Sequence, residues 1–295
     1  MKMYETKFSF ADETFLVRVD DKKVFQLMKA FTPEFESKKK PDLTIDFHFH
    51  RKNVDFNFVL LDLQKKALSS AIQQKNKNIV ELKSIKGSKK KFVSGFINLK
   101  KNYAKIDINV KRVYFWGFFN FNFAKIVAIY LTNKKKGNII HSSGILKGKK
   151  AVLFSAKDDG GKSTIMLLCP EAQYLGEDQN VLFFRKGKLF VQAYPFIGTL
   201  SNIAKDNAKA FELETLFFLK KAKKFSTAKL NRTQAIGKLL ENDIQGTFRF
   251  SNIKTKERIE LYEKISEKVS VFSLRFLIEA KLWKKIDSFL KKERI

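Results

Sequence analysis

Apolar residues fall at every second position through much of the first hundred residues, and in short unbroken runs and helical stripes further on. Thr6 to Val19 alternates through Phe8, Phe10, Phe15, Val17 and Val19, which predicts two strands around a turn at Ala11 to Glu13. Asp20-Asp21 is placed to cap a short helix through Phe25, Leu27 and Met28 that ends before Pro33. Glu34 to Pro41 is polar, Lys-rich and reads as a loop. Leu43 to Phe49 alternates again, with Leu43, Ile45, Phe47 and Phe49 on one face, and further strands are expected at Val54 to Leu61, Phe92 to Leu99 and Tyr103 to Val110. The first hundred residues therefore read as mostly β with little helix.

Val113 to Leu131 is the most apolar window of the chain. Its length approaches a membrane span, but Gly117, Asn120, Asn122 and Lys125 interrupt it, so a strand into Trp116 followed by a buried helix from about Asn122 to Leu131 is expected. The polar run Thr132 to Asn138 is the expected domain boundary, dividing the chain into residues 1–135 and 136–295. Ile139 to Lys150 shows two apolar pulses around a polar cluster and a Gly turn, which predicts a strand hairpin leading into a strand at Ala151 to Phe154. Pro170 is expected to end the helix that follows, and Tyr174-Leu175 to form a short strand. Val181 to Ala193 reads as a hairpin turning at Arg185 to Lys188, before a loop with Pro195 and Gly198-Thr199. Leu213 to Leu219 and Val269 to Phe276 are strand candidates, and Arg232 to Leu240, Glu257 to Ile265 and Glu279 to Lys292 helix candidates. In the last of these, Leu282, Ile286 and Leu290 form one stripe.

One stretch carries a chemical signature. AVLFSAKDDGGKST, from Ala151, reads as strand, tight turn, helix start, with Lys162-Ser163-Thr164 opening the helix. Successive backbone N–H groups and a helix N-terminus suit a phosphate. The spacing fits G-x-x-x-x-G-K-[ST] except that Ala156 replaces the first Gly; Lys162 would reach the β- and γ-phosphates and Ser163 would ligate Mg²⁺. The candidate nucleotide-binding residues are Ala156, Lys157, Asp158, Asp159, Gly160, Gly161, Lys162, Ser163 and Thr164. Asp158 and Asp159 would repel a phosphate unless they point away or serve the metal. The competing reading is a Gly-Gly turn before an ordinary helix.

Downstream, Glu177-Asp178 ends the Tyr174-Leu175 strand, where phosphoryl transfer places a carboxylate to hold Mg²⁺ or accept a hydroxyl proton. Two adjacent acids can divide those jobs, and an acidic turn is the alternative. Upstream, His141 lies close in sequence, with a structural hydrogen-bonding role as its plainer reading. Asp46, His48 and His50 share the other face of the Leu43 strand. Three such groups can meet one metal ion, but a solvent-facing surface is the expectation and no metal is assigned there.

Composition narrows the partners. The 295 residues are 44% hydrophobic and 14% aromatic, which excludes a disordered chain. A net charge of +29 would ordinarily point to nucleic acid or anionic membranes, but only nine of the 59 basic residues are Arg. Arg is favoured for bidentate base and phosphate recognition, so fifty Lys beside 31 Phe look like a coding bias. Specific nucleic-acid binding is not the expectation. Cys169 is the single cysteine, which excludes an intrachain disulfide. The start MKMYETKFSFADETF has no apolar core, so a cytoplasmic protein without a membrane segment is expected.

Taken in order, His141-Ser142-Ser143-Gly144, the A-K-D-D-G-G-K-S-T loop and G-E-D-Q-N-V resemble the C-terminal domain of HPr kinase/phosphorylase and its broader relatives, a phosphoenolpyruvate-carboxykinase-like fold. The resemblance covers Ile139 onward. Its later part, with Tyr194-Pro195-Phe196 and Val271-Phe272-Ser273-Leu274-Arg275-Phe276, is closer to divergent relatives linked with modifying small peptides. It implies a phosphate-loop domain with a mixed sheet and C-terminal helices, which after the β-rich N-terminal domain of unknown role read from the alternation makes the chain α+β or α/β overall. It implies ATP and Mg²⁺ as cofactors, Lys162 on the phosphates, Ser163 and Asp178 on the metal, Asp178 as catalytic base, Glu177 in place of the family's first Asp, and His141 as the site-proximal His. The family's E-x-R-G-x-G segment is not found, so HPr is not the expected acceptor. Relatives are often hexameric, which makes a homo-oligomer an expectation from the resemblance.

The leading expectation is an ATP- and Mg²⁺-dependent kinase acting on a Ser or Thr hydroxyl of a protein, peptide or small molecule. A nucleotide-binding regulatory or structural module without transfer is the first alternative, and a basic scaffold for RNA or another polyanion the second.

Overall fold

The computed structural model describes residues 2–50, 55–57, 70–84, 93–109, 112–114, 122–169, 173–195, 208–244, 255–279 and 281–293. The chain is α+β and divides into two compact units, the second beginning at Lys134.

The first unit is built on a seven-stranded mixed sheet. Strands β1 (Tyr4–Phe10) and β2 (Glu13–Val19) form the expected hairpin, with Ala11 and Asp12 both at positive φ in its turn. Helix α1 (Lys22–Phe31) starts at Asp21, whose carboxylate accepts from the N–H groups of Lys23 and Val24. β3 (Leu43–Phe49) follows, with β4 (Asp55–Asn57) on a separate two-stranded ribbon. Then come β5 (Ser70–Gln74), β6 (Ile79–Ser84), β7 (Val93–Asn98), β8 (Tyr103–Ile108) and β9 (Arg112–Tyr114), the last paired with β4. The order across the main sheet is β1-β2-β3-β8-β7-β6-β5. The β5–β6 hairpin was not expected from the sequence. The rest of the Val54 to Leu61 strand lies outside the described residues, as do Trp116, Pro170 and the Gly198-Thr199 loop; of the strand expected to run into Trp116, Val113 and Tyr114 lie in β9.

Leu43, Ile45, Phe47 and Phe49 are buried together, as alternation requires. The opposite face departs from the expected solvent-facing surface. Asp46 is buried, accepting from Arg18 Nε at 2.6 Å, Arg18 Nη2 at 2.8 Å and Tyr103 Oη at 2.8 Å. His48 Nδ1 stands 3.2 Å from Asp20 and His50 Nε2 2.9 Å from Asp107. The three side chains thus serve separate partners instead of one centre. Helix α2 (Ala124–Asn133) closes the unit, buried from Ala124 through Thr132. A short helix apolar all round is a buried core helix. No helix among the described residues is long and apolar enough to cross a membrane.

The second unit holds an eight-stranded mixed sheet: β10 (Gly137–Lys147), β11 (Lys150–Ser155), β12 (Gln173–Gly176), β13 (Gln179–Arg185), β14 (Lys188–Ala193), β15 (Ala210–Lys221), β16 (Ser226–Lys229) and β17 (Ser270–Phe276). Between them lie α3 (Lys162–Leu167), α4 (Arg232–Asn242) and α5 (Thr255–Lys268), and α6 (Leu282–Lys292) follows β17. β11 runs parallel to β15, and β15 parallel to β17. Their apolar runs are buried on both faces. Ala151 and Leu153 point into one core with Leu239, Leu261 and Tyr262, while Val152 and Phe154 point into another with Ile165, Ile286 and Leu290.

β10 differs from expectation. The polar cluster His141 to Gly144 is not a break, because the strand runs through it from Gly137 to Lys147 and turns only at Gly148-Lys149. Its buried Asn138 donates to Tyr262 Oη at 2.6 Å and to Asp243 at 3.3 Å, and Asp243 is held by Arg258 Nε at 2.9 Å and Nη2 at 2.8 Å. Asp243 and Arg258 are 0% and 5% exposed, so removing one partner strands a charge. Arg258→Met should cost about 3–5 kcal/mol, read as a lower urea midpoint. The exposed Lys135–Glu260 pair should show almost no change on Lys135→Met.

Candidate functional site

β10 organises the site by changing partners along its length. On one edge it pairs with β11, Ser142 opposite Ser155, which ends the strand that enters the loop from Ala156 to Gly161. On the other edge it pairs with β13 up to His141–Gln179 and with β12 from Gly144–Gly176. The turn Glu177-Asp178 joins β12 to β13 across that gap, so register alone sets it beside His141, opposite the start of the loop. Ser142 N–H donates to Asp178 O at 3.1 Å, and Asp178 takes a positive φ of 70°.

The loop is tight. Gly160 N–H donates to Lys157 O at 3.1 Å, and Asp159 and Gly161 sit at φ 58° and 91°. A Cβ on Gly160 would lie 2.4 Å from Ala156 Cβ and 2.9 Å from Lys157 O, so glycine is required there. Ala156, at the position of a phosphate loop's first glycine, is 6% exposed and occupies the room that Gly160 leaves. A Cβ on Gly161 would come within 2.8 Å of Phe276 Cζ, which shows how closely the end of β17 supports the turn. Lys157, Asp158 and Asp159 are exposed, and Thr164 is half-buried in α3 with its carbonyl accepting from Leu168 N–H at 3.1 Å.

Lys162 folds back over this loop. It is 7% exposed, and its Nζ donates to the carbonyls of Ala156 and Lys157, both at 3.1 Å. Burial lowers its pKa, and the charges of Asp178, Asp158, Asp159 and Glu177 oppose that shift without cancelling it. Asp158 and Asp159 therefore act on the lysine as counter-charges.

The two acids of the turn take different partners. Ser163 Oγ donates to Glu177 Oε1 at 2.8 Å, whereas Asp178 Oδ1 stands 2.8 Å from His141 Nε2. Ser163 thus pairs with Glu177 and not with Asp178, the grouping expected for a metal. Asp158 also reaches His141 Nε2, at 3.5 Å. His141 is 8% exposed, and its Nδ1 is buried without a hydrogen-bond partner among the described residues. Two residues that hold this arrangement carry no sequence signal of their own. Asn180 Nδ2 donates to Ser142 O at 2.8 Å and Ser142 Oγ at 3.1 Å, and Ser155 Oγ donates to His141 O at 2.8 Å. Among the described residues no group of three or more His, Cys, Asp or Glu is arranged to hold a metal.

Burial raises the pKa of Asp178, but the His141 hydrogen bond and charge, helped by Lys162, outweigh it and leave the carboxyl below its ordinary value. A depressed folded-state pKa stabilises the fold above the ordinary Asp range, and that stabilisation is lost as pH falls through the folded value. His141→Ala removes the main lowering cause and keeps the burial. The Asp178 titration, followed by carboxyl ¹³C shifts, should therefore move up; an unmoved titration would show that the pair does not hold the charge.

Comparison with curated proteins finds no match. Among solved structures, the chain is similar to the HPr(Ser) kinase/phosphatase from Coxiella burnetii at 14% sequence identity and a TM-score of 0.32, covering 53% of this chain and 95% of that one. Residues 118–291 match the family described as SynChlorMet cassette protein ScmC. The matched stretch takes in β10, the loop, the acid turn and most of α6, more than half of the chain, so the protein belongs to the ScmC family.

Proposed function

We propose that the second unit is an ATP- and Mg²⁺-dependent kinase that phosphorylates a hydroxyl on a protein, peptide or small molecule other than HPr. The family description names no reaction, and the reading is carried by one observation: β10 gathers Lys162, the Ser163–Glu177 pair and the His141–Asp178 pair around a single loop and turn.

The donor set fits the implied groups. Mg²⁺ prefers oxygen and takes one or two protein ligands beside phosphates and water, so the absence of a three-residue cluster is no obstacle. Ser163 Oγ and Glu177 Oε1, 2.8 Å apart, are the residues that would hold it. Bound Mg²⁺-ATP supplies the γ-phosphoryl group and part of the charge neutralisation. Lys162, now on two loop carbonyls, would hold phosphate oxygens instead, which would draw the ammonium towards its charged form, and the loop N–H groups would hold the same anion. Asp178, ionised at neutral pH, accepts the acceptor's hydroxyl proton, and His141 orients and stabilises that carboxylate. Catalysis on this scheme is mostly positioning and electrostatics.

A nucleotide-binding module without transfer is the second reading, favoured by the acidic loop residues Asp158 and Asp159. The two separate on a pair of variants. With γ-labelled ATP and Mg²⁺ in a nucleic-acid-depleted lysate, the wild-type chain should label an acceptor. Lys162→Ala should lose both calorimetric ATP binding and labelling. Asp178→Asn should retain ATP binding and lose labelling by about 10²-fold or more. ATP turnover undiminished in Lys162→Ala would refute the kinase, and binding with no labelled species would leave the module.

A further inference from the structure

The end of β17 leads from the loop to a surface that the chemistry above does not use. Phe276, whose ring supports Gly161, is followed by Leu277 and Ile278, which are 52% and 47% exposed. Phe276 O accepts from Ala222 N–H at 2.7 Å, which draws the turn between β15 and β16 to the same place. Between that turn and α6 lie two adjoining depressions of about 460 Å³ each, sharing Phe225 and Lys285. Lys223, Lys224 and Leu277 line one, and Lys281, Lys284 and Lys292 line the other, with Phe289 on its wall. None of these five lysines forms an ion pair among the described residues. Glu279 is the carboxylate lining the groove, and it is already occupied by Lys285 Nζ at 2.6 Å.

We propose that this groove docks an acidic, partly apolar polypeptide segment of the kinase's acceptor. The inference rests on the kinase reading for the word acceptor, but the binding surface stands on its own residues. Charge complementarity argues for an anionic occupant, and unpaired lysines beside exposed aliphatic side chains refine it. Leu277 and Ile278 take Leu- or Ile-like side chains, and although Phe225 and Phe289 offer ring faces, the lining residues include none of the Arg forks that nucleic-acid recognition favours. A membrane surface would need an apolar helix face turned outward. In α6 that face, Leu282, Ile286 and Leu290, is buried in the core. The position also fits an acceptor, because the groove starts one residue beyond the ring that braces the phosphate loop.

The test uses the full chain and a short fluorescein-labelled peptide of alternating Glu and Leu, followed by anisotropy. The wild type should bind it and bind the Glu→Gln version far less. Lys281→Glu/Lys284→Glu/Lys292→Glu, with all three positions exposed and its circular dichroism unchanged, should bind at least about tenfold more weakly. Unchanged affinity in that variant overturns the proposal, as does tighter binding of an RNA oligomer of equal charge or of phosphatidylserine vesicles. Calorimetric ATP binding is measured on the same preparations and should be equal in both. Peptide binding without ATP binding would sink the kinase and keep the groove, and ATP binding without peptide binding would do the reverse.

Discussion

Strand β10 carries Asn138, His141, Ser142 and Ser143 into the interior, and a buried polar group must find a partner or cost free energy. That requirement ties the second unit together. Asn138 draws in Tyr262, Asp243 and Arg258 from the helices on one side, while Ser142 draws in Asn180 and His141 draws in Asp178. An apolar strand would pack as well but leave the helix pair and the acid turn free to slide. The bonds made by Asn138, Ser142 and His141 permit few registers, and here the register decides which residues face the loop that follows β11.

The electrostatics follow from the same geometry. Lys162 is buried by the turn it closes, and burial disfavours its charge. Four carboxylates nearby oppose that without restoring the ordinary value, which leaves an ammonium that gains from an incoming polyanion. Asp158 and Asp159, an objection when the loop is read as letters, become intelligible in this setting. Both are exposed, and Asp158 approaches the imidazole that also faces Asp178. Their repulsion of an anion is then set against their support for the charge of Lys162.

Much of this was legible in the sequence. The hairpin at Lys186-Gly187 announced itself by flanking apolar runs, and both turn residues take positive φ. The Leu282, Ile286, Leu290 stripe is buried as its spacing demands. What was not legible depends on lateral neighbours. Ser226–Lys229 is polar and became a strand only because it pairs with β17 at the sheet edge. The cluster after Ile140 looked like an interruption because period-two alternation does not describe a strand buried on both faces. The pairing of Ser163 with Glu177 depends on how β12 sits against β10, and no spacing within either segment carries that information.

Net charge shows the same distinction between composition and placement. Fifty lysines look like uniform background, and several are quenched across the sheet, as Lys150 is by Glu214 and Lys188 by Glu212. Around Phe225 the pattern changes, since the cations at α6 and on the turn between β15 and β16 outnumber the available carboxylates and adjoin the exposed Leu277 and Ile278. A coding bias can supply the lysines, but it does not leave them unpaired beside apolar surface at the end of the strand that braces Gly161. Position, more than total charge, therefore distinguishes this surface from the rest of a basic protein.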